Sequence, residues 1–326
     1  MKIAKVVILT AVLLVLGVFY KRFKRKLDEE NALSDYDIVK QFLLNDSSLA
    51  TSTRPIIWIH SEHAPNARNW ESFYSRMSNK VNQPYRLLAI KSIIDTCGDS
   101  FNISLIDDST FGKIIPGWTI DLSIVGDPLK SHLRQLAMTK ILYYYGGLVL
   151  PSSFVALQDL YDVYESNTSD GKMLTAEVVN RTIGHVSASV IPTISFLGCQ
   201  KDSEHCKALI DEQESLVSQD QTDASNFLGV TNVWLHNAAK RGNAHVIPGQ
   251  LVGTVDKDGN PIGIEELLGQ TEVLVNRRCY GILIPGEELL LRSTYKWFVR
   301  MSPSQVVGSN TFIGKMLLAA LSTKKN

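Results

Sequence analysis

Charge of one sign is what this chain most lacks. Lysine plus arginine and aspartate plus glutamate each number 33 over 326 residues, so the formal net charge is zero. A nucleic-acid-binding protein carries a basic excess that neutralises phosphates, and none is present. Cysteine is scarce too. Cys97, Cys199, Cys206 and Cys279 are too few and too scattered for a disulfide framework in a chain of this length. Neither an internal repeat nor a low-complexity tract interrupts the sequence, which removes solenoid and array architectures.

One long apolar run is present. Residues 6–20 carry no charge; Lys2 and Lys5 precede them and Lys21-Arg22-Phe23-Lys24-Arg25-Lys26 follows. As a helix the run rises only about 22 Å, against a hydrocarbon core of roughly 30 Å. Snorkelling by Lys2, Lys5, Lys21 and Arg22 extends the span to residues 4–23. The rival is a cleaved signal peptide, but no small-x-small cleavage site precedes the basic cluster. Residues 1–26 therefore read as a single N-terminal transmembrane helix with a basic flank. More basic side chains follow it than precede it, which favours a cytosolic domain. Asn-x-Ser/Thr sequons at Asn45, Asn102, Asn167 and Asn180 point instead to a Golgi or ER lumenal one. Residues 27–53 read as a stem. Ser34-Asp35-Tyr36-Asp37 offers a capping box for a short helix to about Leu44, and residues 45–53 form a Ser/Thr-rich linker.

Residues 54–326 read as an α/β domain. Ile56-Ile57-Trp58-Ile59-His60 has the short apolar pattern of a buried strand. Asn66 caps a helix in which Trp70, Phe73, Tyr74 and Met77 recur with helical spacing. Residues 85–90 read as a second strand, 92–97 as a helix stopped by Gly98, and 101–106 as a third strand. Beyond them lie a helix over about 128–145 and strands at 148–150, 173–178 and 193–198. An amphipathic helix follows at 203–218. Strands alternating with helices predict an open, doubly wound, mostly parallel sheet. Near the end, Tyr295-Lys296-Trp297-Phe298-Val299-Arg300 is an aromatic and basic cluster. Residues 310–321 then form an apolar helix, read as docking on the core, with a second membrane-surface contact as the alternative.

The helix ending in Tyr145-Gly146-Gly147, with Leu148-Val149-Leu150 after it, resembles the central motif of the DXD-type sugar transferases. That group includes initiating α-mannosyltransferases and capsular-polysaccharide synthesis proteins. The likeness covers about residues 55–250, including a later strand that ends in proline, His245-Val246-Ile247-Pro248. Only the Tyr-Gly-Gly block is specific. The resemblance implies a GT-A-like fold, a sugar-nucleotide ligand and, in an active member, hexosyltransferase chemistry. In those families the strand after Gly-Gly ends in Asp-x-Asp, which holds a divalent metal against the diphosphate. The matching positions here are Pro151, Ser152 and Ser153. The preceding helix of those families carries Ser-Asp-x-x-Arg, whose Asp and Arg fall on Gln135 and Met138. Arg134 lies one helical turn before Met138, on the same face. Two polar elements of the family's nucleotide site are therefore missing, which implies a changed or absent catalytic role. No metal or cofactor is implied; manganese or magnesium would enter only through an acidic site outside the motif. In overall texture the chain is also similar to transferase-like proteins encoded by large DNA viruses.

The candidate substrate-binding residues are Arg134, Ser153, Asp107 and His60. Arg134 and Lys140, with His132 nearby, are cations that could neutralise a diphosphate where a metal does not, or ordinary charges on a helix face. His60 opens His60-Ser61-Glu62-His63 at the carboxyl end of the first strand, where open α/β sheets bind ligands. His60 and His63 have a spacing usable by a metal, but no distant third ligand is identifiable, and a polar loop is the simpler reading. Asp107 and Asp108 end another strand. At most one faces the crevice if the strand continues, and capping of a helix over 109–113 is the plain alternative. Asp256 and Asp258 spell Asp-x-Asp in a turn, which reads as a hairpin tip. Ser152 and Ser153 lack the setting of a hydrolase nucleophile. Three functions remain open: a transferase-derived binding or scaffold protein, an active metal-independent transferase, and an unrelated small-molecule-binding α/β domain. The expected partners are a membrane, a sugar nucleotide or glycan, and a protein; nucleic acid is not among them.

Overall fold

The computed structural model describes residues 54–61, 83–181, 187–219 and 229–322. The expected anchor (1–26), stem (27–53) and helix from Asn66 lie outside the described residues, as do Glu62 and His63. Among the described residues no helix is long and apolar enough to cross a membrane.

The elements run β1 (Ile56–His60), α1 (Pro84–Cys97), β2 (Asn102–Ile106), α2 (Phe111–Ile114), α3 (Leu129–Tyr145), β3 (Gly147–Pro151) and β4 (Phe154–Ala156). Then come α4 (Tyr161–Thr168), β5 (Met173–Val179), β6 (Val190–Cys199), α5 (Glu204–Ser218), α6 (Val230–Lys240) and β7 (Ala244–Ile247). The last part holds α7 (Ile264–Leu268), β8 (Gly281–Leu283), α8 (Gly286–Leu291), α9 (Lys296–Val299), α10 (Pro303–Val307) and α11 (Phe312–Ser322). Thr53–Asp108 and Leu122–Asn326 belong to one compact unit. Ser109–Asp121 falls outside it; by itself it carries α2, with Phe111 edge-on to Trp118 at 5.8 Å.

Six strands form one sheet in the order β2-β1-β3-β6-β5-β7, and β4 pairs with β8 in a separate ribbon. β1 is parallel to both neighbours, β5 is parallel to β7, and β6 runs against β3 and β5. The reversal of β6 has a simple cause. Only residues 180–189 join β5 to β6, too few for the crossover that a parallel pair needs, so the two strands fold back as antiparallel neighbours.

Both faces of the sheet are covered, as a doubly wound arrangement requires. Along β1, Ile57 and Ile59 point one way and join Leu148, Leu150, Leu174 and Ala176 in a core closed by Ile90 and Ile93 of α1 and by Val163 and Tyr164 of α4. Trp58 points the other way. Its ring lies 5.7 Å from that of Tyr145 and its Nε1 donates to the Gly146 carbonyl at 3.0 Å. On that face Cys199 Sγ and Cys206 Sγ donate to the carbonyls of Leu142 and Thr139, tying β6 and α5 to α3. All four cysteines are buried free thiols. Each fully buried Ile or Leu in such a core contributes roughly 1.5–3 kcal/mol.

One expected element is overturned. Residues 85–90 are not a strand; they are the first half of α1, continuous with the helix expected at 92–97. Pro84 sits in the first turn, where its missing N–H costs nothing. Tyr85, Leu88, Ala89, Ser92, Ile93 and Cys97 are buried with helical spacing, while Leu87 and Ile94 are exposed. The misreading comes from double burial. One flank of α1 faces the sheet; the other, with Tyr85, Leu88 and Ala89, packs into a second core made by Val155, Ile282, Phe298, Phe312, Ile313 and Leu317. A helix buried on two flanks loses its polar stripe and looks like a continuous apolar run. The second core also holds α11, so the expected docking of the 310–321 helix is what the molecule does.

Candidate functional site

Parallel strands bring their carboxyl ends to one edge of the sheet. The register pairs His60 with Ile106 on one side and with Pro151 on the other, so β1, β2 and β3 end level with one another. Asp108 lies two residues past the end of β2. Helix α3 runs back from this edge toward the start of β3, which places Arg134, in its first half, near the strand ends. The sequence therefore delivers an imidazole, a carboxylate and a guanidinium to one place from three elements.

The three make a compact polar network. Arg134 forks onto Asp108, with Nε donating to Oδ1 at 2.9 Å and Nη2 to Oδ2 at 2.7 Å. His60 Nε2 lies 2.9 Å from the same Oδ1. The side chains of His60, Asp108 and Arg134 are 14 %, 30 % and 16 % exposed, so the network is half out of water. Burial acts most strongly on Asp108 and pushes its carboxyl up, but the bonds from His60 and Arg134 outweigh it and hold the group below the usual carboxylate range. A forked, charge-assisted pair of this kind fixes geometry as well as charge.

Two of the four expected residues, His60 and Arg134, are thus brought together, and Asp108 rather than Asp107 joins them. α2 begins after Thr110, whose own side chain makes no cap bond. Asp108 lies in the turn after β2 rather than in extended chain, so strand alternation gave no signal for it. Ser153 lies outside this network. It is buried, and its Oγ donates to the Ile284 carbonyl at 2.8 Å; Ser152 before it is buried as well. Lys140 faces α5 and pairs with Glu214 at 2.7 Å, and His132 is buried.

The glycine pair has a backbone explanation. Gly146 and Gly147 have φ of +69° and +104°, a region that suits glycine. A Cβ on Gly147 would overlap the Ile56 carbonyl of β1. The corner is then stapled by Tyr164, whose hydroxyl accepts from Gly147 N at 3.2 Å and donates to the Cys199 carbonyl at 3.1 Å.

Among the described residues no group of three or more His, Cys, Asp or Glu side chains is placed to hold a metal ion. The Asp-x-Asp of Asp256 and Asp258 is a turn, as expected. Asp256 Oδ1 accepts from the amides of Asp258 and Asn260 at 2.9 and 2.8 Å, and Val255 bridges Pro261 across the tip. No protein-family model, no curated protein and no solved structure matches this chain.

Proposed function

We propose that the chain is a transferase-derived binding protein of GT-A-like fold, held at a membrane by residues 1–26, which keeps a sugar nucleotide or glycan without running metal-dependent transfer. One observation carries this reading: the polar groups at the motif are already engaged by the protein itself. Ser153 bonds the Ile284 carbonyl, Arg134 is forked on Asp108, and Lys140 is paired with Glu214. Pro151, Ser152 and Ser153 bring no carboxylate to the diphosphate position, and neutral hydroxyls are poor ligands for a divalent cation beside a diphosphate. The Gly-Gly corner persists for a folding reason, so its presence does not require catalysis. The mostly parallel, doubly wound sheet supports the fold half of the reading. Calorimetry of UDP- and GDP-sugars, with and without manganese or magnesium, tests it. The expected result is binding that metal leaves unchanged, with no donor hydrolysis or transfer above background; metal-strengthened binding would overturn it.

A second reading, an active metal-independent transferase, is favoured by the position of Arg134 at the carboxyl edge, where a diphosphate would compete with Asp108 for the guanidinium. Here the purified chain would transfer from a sugar nucleotide, and Arg134→Ala would lower the rate by about two to three decades.

A further inference from the structure

We propose that Arg86 is an oxyanion-binding residue, taking a phosphate or diphosphate group at the carboxyl edge of the sheet beside Ser153 and Gly286. Two placements put it there. α1 ends at Cys97, just before β2 begins at Asn102, so its last turn lies at the amino edge of the sheet and its first turn at the carboxyl edge. Independently, a Cβ built on Gly286 would stand 3.3 Å from Arg86 Nη2 and 3.4 Å from the Cβ of Ser153. Ser153 follows Pro151, which pairs with His60 at that edge. α1 covers the face of Ile57 and Ile59, whereas α3 covers the face of Trp58. Arg86 and Arg134 therefore approach the strand ends from opposite faces.

The two arginines differ in what they hold. Arg134 carries a counter-ion in full fork geometry. Arg86 is half-buried, and its one protein partner among the described residues is the hydroxyl of Tyr85, reached by Nε at 3.3 Å. Burial pushes that hydroxyl up, so it is a neutral phenol at pH 7 and supplies no charge. Among the described side chains, the carboxylates of α7 and α8 have other partners, Glu266 accepting from the Gly263 amide. Glu288 pairs with Arg181 and Arg292, and Glu265 accepts from Tyr295 and lies 4.0 Å from Arg292. A guanidinium cannot shed its proton, and withdrawing it from water without a counter-charge is costly. Its planar fork matches two oxygens of a phosphate, which would supply the missing charge. Gly286 leaves room for this, because any side chain there would crowd Nη2.

The choice of a diphosphate rests on the proposed function; the anion site itself does not. The test is calorimetry on the full-length chain in mild detergent, at low salt, with inorganic pyrophosphate and inorganic phosphate as probes. Wild type should bind pyrophosphate. Arg86→Gln should weaken it tenfold or more, Arg86→Lys should fall between because it keeps the charge and loses the fork, and the surface control Arg241→Gln should match wild type. A structural arginine would lower the unfolding midpoint when removed; Arg86→Gln without anion should melt at or above wild type. Absence of pyrophosphate binding by wild type, or equal binding by wild type and Arg86→Gln, or equal loss in Arg86→Gln and Arg241→Gln, would overturn the proposal. UDP and GDP binding no tighter than pyrophosphate, with the Arg86 effect intact, would remove the sugar-nucleotide reading and leave the anion site standing.

Discussion

Asp108 is the residue on which the sheet edge turns. It carries two partners on two oxygens, so replacing it strands both. Asp108→Asn keeps the shape but removes the charge that Arg134 and His60 face. For a half-buried pair this should cost about 1–3 kcal/mol at pH 7, less than the loss of a fully buried pair. Urea unfolding measures it, and Asp108→Asn combined with Arg134→Gln should cost less than the two single changes added together. The pH dependence follows from the depressed carboxyl. A group whose folded pKa lies below its unfolded value stabilises fully above the unfolded value, near 4, and that stability is lost as pH falls through the folded one. The gap between wild type and Asp108→Asn should therefore hold from pH 7 to about pH 5 and close on further acidification. A gap that widens toward low pH would show that the carboxylate is not what the pair stabilises.

At the scale of elements, the Tyr-Gly-Gly corner is the sharpest case of sequence dictating backbone. α3 must stop, reverse its direction and enter the sheet against β1 within two residues, and only glycine fits both the positive φ and the contact with Ile56. Gly147→Ala should cost about 3 kcal/mol or more, because the clash is with a strand carbonyl that cannot move without disturbing the sheet centre. Gly171→Ala is the control: φ is also positive there, but nothing lies within 4 Å of the added carbon, so only the smaller backbone term of about 1 kcal/mol applies. Thermal melts of the two variants separate the effects. The same corner shows what sequence could and could not give. Elements with a clear start or stop were legible: α3 ending on Gly146, the short apolar runs of β3 and β5, and α5 capped by Ser203, whose Oγ accepts from Cys206 N. α1 was not, since two cores bury it. The edge network was half legible. His60 and Arg134 are marked by their places on β1 and α3, but the choice of Asp108 over Asp107 depends on how the chain turns after Ile106, and Arg86 lay inside a stretch read as the wrong kind of element.

At the scale of the whole molecule, the proposed anchor and the domain make separable demands on solvent. Residues 6–20 hold fifteen apolar or uncharged side chains, enough to keep the chain in a bilayer by burial. The flanking lysines and arginines alone would hold it only by attraction to anionic headgroups, which salt screens within about 10 Å at 0.1 M. High-salt and carbonate washing should therefore leave the intact chain in the membrane pellet, and deletion of residues 1–26 should release it to the supernatant; elution of the intact chain by salt would reduce the anchor to a basic surface patch. Orientation is testable on the same preparation. The side-chain amides of Asn102, Asn167 and Asn180 donate to the carbonyls of Arg54, Val163 and Ala188. A glycan on any of these nitrogens would compete with a bond the folded domain makes. With five basic residues after the apolar run and two before it, the domain is expected on the cytosolic side, where such glycans are not added. Glycosidase treatment should leave the mass of the membrane-bound chain unchanged. A shift abolished by Asn102→Gln, Asn167→Gln or Asn180→Gln would place the domain, and the sheet edge with Arg86 and Arg134, in the lumen instead.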